Sequence, residues 1–180
     1  ATRSPFVKQF IRLHDGRLLV LDDLGLNEII NKVDTVIFKP VLAGTRFPTD
    51  STIWYPKSIF EDSQGNLWIG EPQSVVKYNG KDLKRFEFSP EHNSSSFIRS
   101  FNFVELPNGK LLISSYSGGF FLYDSATEQL TQLKNNNFSG DVSHMLLWND
   151  EVYIGCNYGI YIITSLEEGE IKTKQIRGNI

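Results

Sequence analysis

One pattern is written four times along this chain, and it constrains the fold more than any composition statistic. Each unit has an apolar segment, a turn, a second apolar strand, a small-residue break and a third apolar or aromatic strand. The second unit reads Lys57-Ser58-Ile59-Phe60-Glu61-Asp62-Ser63-Gln64-Gly65-Asn66-Leu67-Trp68-Ile69-Gly70, then Val75-Val76-Lys77-Tyr78. The third runs from Asn102-Phe103-Val104 through Asn108-Gly109 to Leu111-Leu112-Ile113 and Gly119-Phe120-Phe121-Leu122-Tyr123. The first turns at Asp15-Gly16 and the fourth at Asn149-Asp150. Aligned on Gly16, Gly65, Gly109 and Asp150, the units recur every roughly 40 to 50 residues, a period that belongs to blades, solenoid turns or arrays.

Turn chemistry and periodicity say which of these it is. Asp-Gly and Asn-Gly supply the positive φ values of a two-residue hairpin turn, so each unit opens with a hairpin. After the turns, Leu18-Leu19-Val20, Leu67-Trp68-Ile69, Leu111-Leu112-Ile113 and Val152-Tyr153-Ile154 are apolar at successive positions instead of alternating. Such strands are covered on both faces. Small antiparallel sheets stacked face to face around an axis meet that requirement, and the expected fold is all-β, with four propeller blades of four antiparallel strands. The blades are placed at 6–40, 53–88, 98–133 and 142–176. In the second, the strands fall near Pro56–Glu61, Asn66–Gly70, Val75–Tyr78 and Leu83–Phe88. Fourth strands such as Lys84–Phe88 and Glu170–Ile176 are more polar and lysine-bearing, as suits an outer edge kept from pairing with other chains. A β-sandwich of similar strand number has no reason to repeat one motif four times.

The second unit resembles the two-component regulator propeller repeat, whose blades read approximately Ile-x-Glu-Asp-x-x-Gly-Asn-Leu-Trp-Ile-Gly-Thr, followed by a Gly-Leu-x-x-Tyr strand. The match is specific over Ile59 to Gly70 and looser in the other units. It departs at Glu71, at Ser74 and at the fourth turn, which lacks Gly. The resemblance implies the extracytoplasmic, periplasmic sensor region of Bacteroides-type hybrid histidine kinases, which commonly respond to oligosaccharides. It also implies more than four blades, so the chain is expected to be part of a larger propeller. Further blades, or a second copy of the chain, are the expected partners for its outer faces, which include Leu18, Val20, Tyr153 and Ile154.

Composition removes several alternatives. The 18 basic and 21 acidic residues give a net charge of −3, without the basic stripe that tracks a nucleic-acid backbone. No apolar run reaches the ~18 residues of a membrane span. One cysteine, Cys156, and three scattered histidines, His14, His92 and His144, follow no metal-ligand spacing, and no cofactor is expected. Adjacent carboxylates such as Glu61-Asp62 point to opposite faces of a strand and cannot flank one bond. Asp62 is assigned to its turn, and Trp68 to packing between blades, at positions equivalent to Leu112 and Tyr153.

Candidate ligand contacts lie at strand ends and connecting loops. Asp22, Glu71, Ser115 and Cys156 share one position after their turns and form a column. That column can either contact ligand or satisfy loop backbone. Long connections into the innermost strands carry Arg46, Trp54, Tyr55, His92 and Arg99, while Tyr116 and Tyr158 precede third strands. Aromatic faces stack on sugar rings, and Arg pairs with carboxylate or sulfate. The candidate site is Trp54, Tyr55, Glu71, Arg99, Tyr116 and Tyr158, with no catalytic residue assigned. A ligand-sensing segment is the reading these residues favour; a lyase or glycosidase fragment and a protein-interaction scaffold are the alternatives.

Overall fold

In the computed structural model, residues 6–45, 47, 49–88, 101–115, 119–135, 138, 140–167 and 169–177 are described. The chain divides into two compact units, Ala1–Ile98 and Arg99–Ile180. The first holds β1 (Val7–Arg12), β2 (Leu18–Asp22), β3 (Gly25–Lys32) and β4 (Thr35–Thr45), a meander joined at its outer end by the short β5 (Ile53–Trp54). Its second sheet is β6 (Ser58–Glu61), β7 (Leu67–Gly70), β8 (Ser74–Tyr78) and β9 (Leu83–Glu87), in sequential antiparallel order. The strands expected for this blade are these strands, within two residues at every end. In the first blade β4 runs on past the expected limit at residue 40, because Gly44 and Thr45 pair in parallel with Ile53 and Trp54.

The second unit contains β10 (Phe101–Glu105), β11 (Leu111–Ser115), β12 (Phe120–Asp124) and β13 (Gln129–Asn135), then β14 (Val142–Trp148), β15 (Glu151–Cys156), β16 (Gly159–Glu167) and β17 (Glu170–Ile176). These are two further four-stranded meanders. The outer strands of these two blades also meet: Lys134 pairs with Glu170 and Asn135 with Ile171 in parallel, joining both blades into one eight-stranded sheet. The backbone groups of an edge strand seek partners whatever its side chains, and the end of β13 meets the start of β17.

The turns also differ from the expectation. At Gly16, Gly65 and Gly109 the loop has three residues. In the second unit, Gly65 donates its N–H to the Asp62 carbonyl at 2.9 Å and Asp62 donates to Asn66 at 3.0 Å. This is a type I turn closed by one positive-φ residue, and φ is 79° at Gly65. A Cβ there would meet nothing within 4 Å, so the requirement for Gly is conformational and not steric. Of the four aligned turns, the fourth, which lacks glycine, is the two-residue one, and its Asn149 and Asp150 take φ of 50° and 62°. Asn and Asp tolerate this region better than other side chains.

Among the described residues, each unit has an apolar core between its two blades. In the first, Leu19, Leu21, Leu26 and Leu42 pack with Ile59, Leu67, Ile69 and Val76. In the second, Val104, Leu112, Phe120 and Leu133 pack with Met145, Val152, Ile154 and Ile171. Burial of each such Leu or Ile contributes about 1.5–3 kcal/mol. The double-sided burial read from the sequence is met at Leu67, Trp68 and Ile69, which are 5%, 0% and 0% exposed. It fails in the fourth blade. Ile154 lies in the core, contrary to its expected place on an outer face, while Tyr153 is half-exposed and not buried like Trp68 and Leu112. Alternation along β15 sends these neighbours to opposite faces, only one of which is covered.

Candidate functional site

The site is built where β5 meets β7 and β9. Gly25 and Gly44 allow their backbones to approach closely, since a Cβ on Gly44 would sit 2.6 Å from the Leu24 carbonyl carbon and 2.7 Å from the Gly25 nitrogen. Gly44 donates to the Leu24 carbonyl at 2.7 Å, holding the end of β4 against the first blade. The chain then returns through Thr49 to Thr52 into β5.

One ion pair organises this return. Glu71, wholly buried at the end of β7, accepts from the Trp54 backbone N–H at 2.7 Å and from the Ser74 hydroxyl at 2.5 Å. Arg85 on β9 donates from Nε to Glu71 Oε2 at 2.9 Å and from Nη2 to Oε1 at 3.1 Å, in fork geometry. The same guanidinium donates to the Thr49 and Thr52 carbonyls, both at 2.8 Å. The carboxylate is thereby saturated, and its role is to position the 49–54 segment.

That segment presents two aromatic side chains. Trp54 is half-buried, and its indole Nε1 is shielded from solvent without a hydrogen-bond partner. Tyr55 follows with φ of 40° and 39% exposure. Its ring stands edge-on to Trp54, with centroids 6.3 Å apart and planes at 68°. The positive φ of a bulky residue is costly and persists only where the surroundings impose it. The Tyr55 ring offers an exposed stacking face, while the buried Trp54 N–H points inward.

Three of the six candidates, Trp54, Tyr55 and Glu71, thus come together in the first unit. Tyr158 stands at the β15–β16 turn of the second unit, 62% exposed, with its carbonyl accepting from Gln175 Nε2 at 2.8 Å. Arg99 and Tyr116 lie outside the described residues, as do Arg46 and His92. The column of strand-end residues serves its own loops. Asp22 accepts from the Leu24 N–H at 2.8 Å, Ser115 from the Gly119 N–H at 3.2 Å, and the Cys156 thiol reaches the Gly159 carbonyl at 3.4 Å. Asp62 accepts from Gln64, Asn66 and the Trp68 indole N–H, the last at 2.8 Å, which holds the turn and the core tryptophan together. Arg85, the residue that organises the site, was missed by sequence reasoning. Its only signal was a second basic residue in a strand whose partner at that register is Val76.

Comparison with known proteins places this geometry. The two component regulator propeller model matches residues 49–71, the stretch from Thr49 to Glu71 that the ion pair braces. The resemblance read from the second repeat is borne out there. No curated protein matches the sequence. Among solved structures, virginiamycin B lyase from Staphylococcus aureus is similar with a TM-score of 0.68 at 14% identity, over 99% of this chain and 58% of the lyase. An extracellular domain of a hybrid two component system from B. thetaiotaomicron aligns with a TM-score of 0.63 at 21% identity, over 90% of this chain and 20% of that one. A second such domain from the same organism gives 0.63 at 15% identity, over 96% and 23%. These likenesses establish the propeller fold. The chain spans a little over half of the lyase and about a fifth of the extracellular domains.

Proposed function

We propose that this chain is a ligand-sensing propeller segment of a two-component sensor, lying outside the cytoplasm and binding an oligosaccharide. The observation that carries the reading is the coincidence of the two component regulator propeller match, residues 49–71, with the braced segment that displays Trp54 and Tyr55. In the first unit the proposed recognition set is the Tyr55 ring beside Trp54, and in the second unit Arg99, Tyr116 and Tyr158 are the proposed contacts. Binding is transmitted by altered contacts with neighbouring modules, and the segment itself carries no chemistry. The extracellular setting is supported by the hybrid two component domains that share the fold.

A thermal-shift screen of the chain against neutral and acidic oligosaccharides, with product analysis of the same mixtures, tests this. The expected result is a raised melting temperature with the added sugar recovered intact. Cleavage of the sugar assigns the segment to an enzyme, and no shift with any sugar removes the oligosaccharide.

A further inference from the structure

The same rule joins the blades within each unit. Counting from the aligned turn residues, the first blade of a pair presents its third post-turn residue, Leu19 or Leu112. The second presents its second and fourth, Leu67 with Ile69, or Val152 with Ile154. Two further faces show these patterns and carry large exposed apolar side chains. On the fourth blade, the third post-turn residue is Tyr153, and around it His144, Leu146, Trp148, Gly155 and Ile160 line an open apolar cavity of about 310 Å³. Leu146, Trp148 and Ile160 are 55%, 58% and 53% exposed. On the first blade, the second and fourth post-turn residues are Leu18 and Val20, and Val20, expected on the exposed outer face, is in fact buried at 2% exposure. The registers place Phe10, Ile29 and Phe38 on the same face, and Phe10, Leu18 and Phe38 are 58%, 37% and 40% exposed.

We propose that these two faces are the halves of one interface, and that the Tyr153 face of one copy of this chain takes the Leu18 face of a second copy, head to tail. The repeat itself identifies the occupant. A face bearing the third post-turn residue is covered in both units by a blade offering its second and fourth, and the first blade offers that set as Leu18 and Val20. Large apolar faces of this kind mark association surfaces, and an interface of two different faces is heterologous.

Sedimentation velocity of the 180-residue chain over a concentration series tests the proposal. The expected result is a dimer or larger species that Leu146→Lys and Leu18→Lys each weaken, while mixing the two variants restores a heterodimer through the one intact pair of faces. Both positions are partly exposed, and far-ultraviolet circular dichroism verifies the fold. Where Leu146→Lys misfolds, Trp148→Lys replaces it. A wild type that stays monomeric, or association insensitive to Leu18→Lys, overturns the head-to-tail pairing.

Discussion

Trp68 illustrates how one side chain can serve a turn and a core at once. Its ring is fully buried and stacked on Phe86 at 6.0 Å, while its N–H ends on Asp62. Trp68→Ala is expected to cost about 3–5 kcal/mol, as a large-to-small core substitution. Urea denaturation checks it, and a wild-type midpoint contradicts the packing role. Glu71 and Arg85 make a different case, because each removal leaves the other charge in a mostly buried place. Glu71→Gln is expected to destabilise by about 3 kcal/mol, near the lower end for breaking a buried pair. Arg85→Lys is expected to lose stability as well, since an ammonium cannot reproduce the fork to Glu71 and the two threonine carbonyls. A melting temperature unchanged in both variants contradicts the bracing role.

At the scale of elements, the hairpin turns separate conformational need from sequence habit. Gly65 sits at positive φ with open space around it, so Gly65→Ala is expected to cost about 1–2 kcal/mol from the left-handed backbone alone. Asp150 occupies the same region without being glycine, and Asp150→Gly is expected to leave stability unchanged or raise it by up to about 1 kcal/mol. Denaturant midpoints of the two variants should therefore move in opposite directions, or only the first should move. These turns also show what was legible in advance. Runs such as Leu67-Trp68-Ile69 and the Gly65 turn announced strands and their limits, because periodicity and turn chemistry are local. The loop length was not legible, since Asp-Gly and Asn-Gly serve three-residue turns as well as two-residue ones. Nor were the parallel pairs at Gly44–Ile53 and Lys134–Glu170, which depend on where two distant strand ends meet. Trp54 and Tyr55 were legible as aromatic candidates at the end of a long connection. Arg85 was not, because a strand position says nothing about a carboxylate fourteen residues earlier in the chain.

At the scale of the whole molecule, a sheet scaffold displays a short aromatic segment that Glu71 and Arg85 hold in place. A ligand present at about 100 times its Kd stabilises the chain by about 2.7 kcal/mol, enough to raise the melting temperature measurably. The central claim is that this stabilisation comes from the residues of the proposed recognition set. Isothermal titration of a stabilising oligosaccharide into wild type, Tyr55→Ala, Arg99→Ala and Tyr116→Ala tests it most directly. The account predicts a loss of about tenfold in affinity, or about 1.4 kcal/mol, for each variant, with the melting temperature of the unliganded chain nearly unchanged. Wild-type affinity in all three variants would contradict it.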